Sequence, residues 1–270
     1  MKCILYPSSL GQLKNGVKKT PGIMKDYIYS KKIYNTKCNN NIYQDLKNLY
    51  HVNKFVKGKR LNIGGDHSMS IATVAYSLNN VCNLKVLWFD AHADINTTQS
   101  SNTNNYHGMP LGFLTGLDND KRFSFIKNRL KFENILYIGL RDVDDFERDI
   151  IDNYNIKYIT CSEVNKNPQL ALSKIQHFIK DDTFHLSFDV DCMDPSIIPS
   201  TGTPVKDGLK LNQTQYLLNN LLKKKSLLNT DLTELNLDLN KHSDSLKNTL
   251  KLISPFCYNL NHFNSSIKHY

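Results

Sequence analysis

Short apolar runs alternate along this chain with stretches of helical periodicity. Cys3-Ile4-Leu5-Tyr6, Arg60-Leu61-Asn62-Ile63, Lys85 to Phe89, Ile135 to Leu140, Ile156 to Thr160 and Phe184 to Phe188 each read as a buried strand. Leu232-Thr233-Glu234-Leu235 reads as a last strand. Helices are predicted from Met24 to Tyr29 and from Ile42 to Val52. A further helix carries Ile71, Val74, Ala75 and Leu78 behind Ser68 as N-cap. Another opens at Asn167-Pro168 with Leu172, Ile175, Phe178 and Ile179 on one face. One more runs from Asn212 to Lys223, and Leu246, Leu250, Ile253 and Cys257 mark a final one that Pro255 ends or kinks. Residues 11–17, Asn35 to Asn41, Asn96 to Tyr106 and Asp194 to Pro204 read as loops. The alternation predicts an α/β fold: three layers, with a mostly parallel sheet and helices on both faces. Ligands of such sheets bind outside the carboxyl ends of the strands.

The polar residues at those ends change the picture most. Val86-Leu87-Trp88-Phe89 runs into Asp90-Ala91-His92-Ala93-Asp94. Alternate residues of an extended chain face one way, which puts Asp90, His92 and Asp94 on one side. Arg60 to Ile63 runs into Gly64-Gly65-Asp66-His67-Ser68, and Phe184 to Phe188 delivers Asp189-Val190-Asp191. Asp90, Asp94, Asp189 and Asp191 would bring four negative charges into one crevice, which two divalent cations would neutralise. With His67 and His92 the donor set mixes oxygen and imidazole nitrogen. It suits manganese, iron, cobalt or zinc better than calcium. Two such ions roughly 3.5–4 Å apart can share a water and lower its pKa towards neutrality, giving hydroxide for hydrolysis of a poor electrophile.

Composition adds limits. The chain has 270 residues with 40% hydrophobic and 22% charged, enough for a globular core, and shows no internal repeat. One catalytic domain is expected over residues 1–270, with a poorly patterned C-terminal tail from about residue 258. No signal peptide is read at the start and no run approaches the ~20 apolar residues of a membrane span, so a cytoplasmic protein without membrane partners is expected. The net charge is +9, but the lysines are scattered and Lys223-Lys224-Lys225 reads as a solvated helix end, so no nucleic-acid partner is expected. The six cysteines form no CxxC pair and read as thiols, with Cys192 as a small packing residue.

The motifs together resemble the arginase, or ureohydrolase, family. Gly64-Gly65-Asp66-His67-Ser68, Asp90-Ala91-His92-Ala93-Asp94 and Ser187-Phe188-Asp189-Val190-Asp191 followed by Asp194-Pro195 are similar to its three signatures. Gly11-Gln12 with Gly16-Val17 resembles its N-terminal loop. Asp94-Ile95-Asn96-Thr97, His107-Gly108, Gly139 to Asp144 and Thr201 to Val205 resemble arginase more than agmatinase. The resemblance runs from about Tyr6 to about Cys257. It implies two manganese ions, one held by His67, Asp90, Asp94 and Asp189, the other by His92, Asp90, Asp189 and Asp191. It implies hydrolysis of L-arginine to L-ornithine and urea by a hydroxide that bridges the two ions, and a homo-oligomer, trimer or hexamer.

The same resemblance gives roles to further residues. Glu234 would meet the guanidinium, His107 would shuttle a proton, and Asp94 would act beside them as a catalytic carboxylate. Asn96, Ser101 and Thr103 would hold the α-carboxylate, Asp144 and Glu147 the α-amino group, and Thr203 would also touch substrate. The remaining histidines (His51, His177, His185, His242, His262 and His269) match no motif. The chain departs from the family pattern at Thr103-Asn104-Asn105, Asp207-Gly208 and Leu237. Alternatives are a ureohydrolase for another guanidino compound, agmatine or guanidinobutyrate, and a non-catalytic binding protein that keeps the fold.

Overall fold

The computed structural model describes residues 1–30, 32–239 and 243–257, so the expected tail lies outside the described residues, as do His242, His262 and His269. Eight strands, β1 (Lys2–Tyr6), β2 (Ile33–Asn35), β3 (Arg60–Gly64), β4 (Lys85–Phe89), β5 (Ile135–Ile138), β6 (Lys157–Ile159), β7 (Phe184–Asp189) and β8 (Leu227–Thr233), form one sheet among the described residues. Its order is β2-β1-β3-β8-β7-β4-β5-β6, and every pairing is parallel. The helices are α1 (Thr20–Met24), α2 (Ile42–Phe55), α3 (Ser70–Asn80), α4 (Pro110–Thr115), α5 (Asp145–Asn153), α6 (Cys161–Lys166), α7 (Pro168–Ile179), α8 (Leu211–Leu221) and α9 (Ser243–Leu252). No helix among the described residues is long and apolar enough to cross a membrane.

Period-two alternation sorts the strand side chains into two cores. Cys3, Leu5, Leu87, Phe89, Leu136 and Ile138 face the layer of α7, α8 and α9, while Ile4, Tyr6, Val86, Trp88, Ile135 and Tyr137 face the layer of α2, α3 and α4. Strands covered on both faces read as continuous apolar runs, which is why these were visible in the sequence.

Several boundaries differ from expectation. The helix expected from Met24 to Tyr29 ends at Met24, because Pro21 starts it early, and a 3-10 turn over Lys25–Tyr27 follows. Ser68 is not the cap of α3. That position falls on Met69, and Asp66 instead caps the preceding 3-10 turn over His67–Met69, accepting the Ser68 backbone N–H at 3.0 Å. The last strand runs from Leu227 to Thr233, five residues earlier than its expected start. Cys257 lies beyond α9, with Pro255 inside a 3-10 turn over Ser254–Phe256. All six cysteines are free, and Cys192 is wholly buried.

Register sets the level of the site. Phe89 pairs with Phe188, Asp189 with Thr233 and Ile63 with Leu232. The residues just past β3, β4, β7 and β8 therefore leave four adjacent central strands at one height.

Candidate metal centre

Two groups of side chains form at that edge: His67 with Asp90 and Asp189, and His92 with Asp90 and Asp191. Within each group the ligand atoms lie within 4.8 Å of one another, and Asp90 belongs to both. Nδ1 of His67 is 3.0 Å from Asp90 Oδ2, 2.9 Å from Asp94 Oδ2 and 3.1 Å from Asp189 Oδ2. One ring nitrogen carries at most one proton, so it cannot serve three carboxylates as a hydrogen-bond donor. Both His67 Nδ1 and Asp94 Oδ2 are buried without a directed hydrogen bond. A cation in their midst resolves this, and the oxygen and nitrogen donors fit one. Nδ1 of His92 is 3.2 Å from Asp191 Oδ2 and 3.4 Å from Asp90 Oδ1.

The local chain builds this convergence. Asp90 Oδ1 accepts the His92 backbone N–H at 2.7 Å, and Asp189 Oδ1 accepts that of Asp191 at 2.8 Å, so each carboxylate tightens the turn after its strand. Asp191 Oδ1 accepts the Ala91 N–H at 3.2 Å and ties the two turns together. Outside the donor atoms, Trp88 Nε1 donates to Asp90 Oδ2 at 3.1 Å, and His67 Nε2 lies 2.7 Å from Ser187 Oγ. Asp94 and Glu234 both hold positive φ, 51° and 64°, a region L-residues with side chains enter at a cost.

The charges follow from the crowding. Burial raises Asp189, with Asp191 and Asp90 adding to it. Burial would raise Asp90 too, but His67 and His92 outweigh it and hold this carboxyl low. Asp94 is pushed up to about 6 by burial and by Asp90. The like charges are thus only partly offset by the histidines, leaving demand for external positive charge.

Beside the centre, burial would lower His107, but Glu234, Asp94 and Asp66 hold it at about 9. Its Nδ1 lies 3.3 Å from Glu234 Oε1. A pocket of about 280 Å³ opens beside His107, lined by His92, Asp94, Asn96, His107, Gly108, Asp142, Asp144, Glu147, Asp189, Asp191 and Thr203; Glu234, buried, is not among the lining residues. Thr203 Oγ1 donates to Asp191 Oδ2 at 2.9 Å, and Asn96 Nδ2 to Asp144 Oδ2 at 2.7 Å. Asp144 and Glu147 form a capping box on α5, and Glu147 also accepts the Ile95 N–H at 3.2 Å. The larger cavity of about 850 Å³ lies near the start of β4, beside β6 and α7, away from the metal-binding clusters.

Ser101 and Thr103 do not line the pocket. Their hydroxyls accept the backbone N–H groups of Asn104 and Asn105, at 3.1 and 3.3 Å. Three contributors lie in stretches that carry the family resemblance but have no role that the sequence alone assigns. Asp142 lines the pocket with Oδ2 3.5 Å from His92 Nε2; it belongs to the run from Gly139 to Asp144. Gln12 donates to Glu234 Oε2 at 2.5 Å. Arg141 donates to the carbonyls of Asp191 (2.9 Å), Cys192 (3.2 Å) and Val205 (2.7 Å), joining the Asp191 turn to the Thr203 loop.

Comparison with known proteins agrees with this geometry. The family model for the arginase family matches residues 17–260. The arginase of Coccidioides immitis is 38% identical over 188 residues, covering 65% of this chain and 58% of that protein. The mitochondrial arginase-2 of Bos taurus is 34% identical over 244 residues, covering 85% and 68%. This chain spans 52–58% of the first three curated relatives. The crystal structure of Entamoeba histolytica arginase in complex with L-ornithine superposes with a TM-score of 0.84 at 29% identity, covering 94% of this chain and 96% of that one. A parallel sheet carrying two histidine–aspartate clusters at one edge, the family match over most of the sequence and the fold-wide superposition converge: the chain belongs to the arginase family.

Proposed function

We propose that this protein hydrolyses L-arginine to L-ornithine and urea with two manganese ions. The observation that carries this is the pair of clusters sharing Asp90, with His107 and Glu234 directly beside them. His67, Asp90, Asp94 and Asp189 would hold one ion, and His92, Asp90, Asp189 and Asp191 the other. Oxygen and imidazole donors without thiolate favour manganese over calcium or a structural zinc. When bound, such a pair supplies the Lewis acidity that makes water nucleophilic at neutral pH.

The chain's own residues do the rest. A guanidinium stays charged at any usable pH and needs a carboxylate acceptor, which Glu234 offers. His107, held up at about 9, carries the proton that the leaving amine requires. Asp144 gives the α-ammonium a carboxylate and Glu147 an acceptor oxygen, and Asn96 and Thr203 add polar contacts at the rim. Asp94, 2.9 Å from His67 and close enough to His107 to raise it, would contribute a carboxylate to the first ion. The likeness to a fold solved with L-ornithine supports an amino-acid product. Assembly as a trimer or hexamer accompanies this reading through the family resemblance.

A second reading has one observation in its favour. With Ser101 and Thr103 engaged in their own loop, a carboxylate finds fewer partners, which suits agmatine, the guanidino compound without one. Urea release from L-arginine, agmatine and guanidinobutyrate by the manganese-loaded protein separates the two. Fastest turnover of L-arginine is expected, and faster turnover of agmatine would replace the first reading with the second. Manganese binding without urea from any of them would favour a non-catalytic protein.

A further inference from the structure

Glu234 sits one residue past β8 at a φ of 64° with only 2% of its surface exposed, and its two carboxylate oxygens have different company. Oε1 accepts the His67 backbone N–H at 2.8 Å and faces His107 Nδ1 at 3.3 Å. Oε2 accepts the side-chain amide of Gln12 at 2.5 Å. A carboxylate only accepts, so the amide nitrogen must be the atom that faces it. Gln12 is itself buried, and a buried amide is costly unless it is hydrogen-bonded.

The loop that brings Gln12 there is pressed onto the site at several points. The Gly11 N–H donates to Asp66 Oδ2 at 3.0 Å, and the Gly11 carbonyl accepts the His107 backbone N–H at 3.1 Å. A Cβ at Gly11 would lie 2.2 Å from Asp66 Oδ1, so only glycine allows this approach. The Lys14 amine donates to the Gly202 carbonyl. One loop therefore touches the His67 turn, the His107 turn and the 201–205 loop while presenting a donor to Glu234.

We propose that Gln12 is a positioning residue for Glu234, fixing the plane of the carboxylate that would receive the guanidinium. This rests on the guanidino reading above. Paired hydrogen bonds to a guanidinium need a carboxylate of set orientation. The His67 N–H restrains one oxygen; the amide restrains the other, and without it the group can turn about its last torsion.

The test uses the full chain loaded with manganese, in wild type, Gln12→Met, Gln12→Asn, Glu234→Gln and the Gln12→Met/Glu234→Gln double variant. Methionine keeps the length and removes the donor, and asparagine keeps the amide one methylene short. Three quantities are read: KM and kcat for L-arginine, the calorimetric Kd for L-arginine, and bound manganese. Loss of one charge-assisted hydrogen bond should raise KM and Kd about 10-fold or more in both Gln12 variants. Manganese content should stay at the wild-type value, and kcat should fall less than KM rises. Against the Glu234→Gln background the Gln12→Met change should add less than about 2-fold, because the two act as a unit. Unchanged KM and Kd in Gln12→Met, or an equal effect in both backgrounds, overturns the positioning role. A wild type that releases urea from another guanidino compound but not L-arginine revises the substrate, and an unchanged KM for that compound in Gln12→Met then overturns the positioning role. A wild type that neither hydrolyses nor binds any guanidino compound overturns both readings together.

Discussion

The imidazole of His67 lies flat on the indole of Trp88, with ring centroids 4.3 Å apart and planes at 11°. The same indole donates its N–H to Asp90 Oδ2 at 3.1 Å. One side chain of β4 thus orients two candidate ligands, one by its face and one by its edge. Trp88→Phe should keep the fold but lower manganese affinity about 10–100-fold, the size expected when a partner behind a ligand is lost. Metal titration of the apo protein measures it, and unaltered affinity would reduce the indole to a packing group.

His92 reaches only the second cluster, through Asp90 and Asp191. His92→Asn is expected to halve the manganese bound per chain and abolish most activity. Metal analysis of the purified variant checks this, and full metal content would contradict the assignment.

The His107–Glu234 pair gives a titration prediction. In the metal-free protein the His107 ring should titrate near 9, above its ordinary 6.5, with Glu234 as the principal partner that raises it. A raised histidine adds stability that is fully present below about pH 6.5 and lost as pH rises through about 9. Glu234→Gln should move the ring midpoint down, which NMR of the imidazole protons tracks; an unmoved midpoint would mean that Asp94 and Asp66 set it.

Glu147 runs the opposite way. Burial, then Asp144 and Asp94, push its carboxyl from 4.5 to about 8. The native state keeps a proton that the unfolded chain releases, so this group makes stability fall as pH rises from 4.5 to about 8. Glu147→Gln should therefore stabilise the metal-free protein by an amount on the order of 1 kcal/mol or more above pH ~8, and leave it unchanged below pH ~4. Urea unfolding at the two ends of that range reads the difference, and a constant gap across it would defeat the prediction.

Arg141 holds carbonyls of both the Asp191 turn and the Val205 segment, through Nη1 and Nη2. A lysine is a point donor and cannot span them. Arg141→Lys should cost about 2 kcal/mol or more and raise KM as the Thr203 loop loosens. Unfolding midpoints together with substrate kinetics test both parts.

The features that the sequence hid have physical causes. β8 carries Asn229, Thr230 and Asp231, all buried, between Leu227-Leu228 and Leu232, so its apolar run is broken in the middle. The Asn229 and Asp231 side chains find partners across the sheet and in α3: Asn62 donates to Asn229 and Asp231, Ser70 and Thr73 donate to Asp231, and His185 pairs with Asp231 at 3.0 Å. Burial of polar groups is permitted by partners distant in sequence, which no local pattern records. β2 is three residues at the sheet edge and leaves no periodic signal. α6 had a local signal that the apolar pattern does not carry, since Thr160 and Glu163 form a capping box at its start.

The donor types of the candidate site and their level in the fold are legible along the chain. The apolar runs of β3, β4 and β7 lead into the candidate metal ligands, and a strand delivers the residues just beyond it to one edge of the sheet. Tertiary structure decided the neighbours. The order β3-β8-β7-β4 is not the order of the chain, and only that order brings His67 against Asp90, Asp94 and Asp189. It also seats Gln12 on Glu234, 222 positions away, and leaves Ser101 and Thr103 outside the pocket. Periodicity is a property of a few consecutive residues, whereas strand order and side-chain partnership come from packing the whole chain at once.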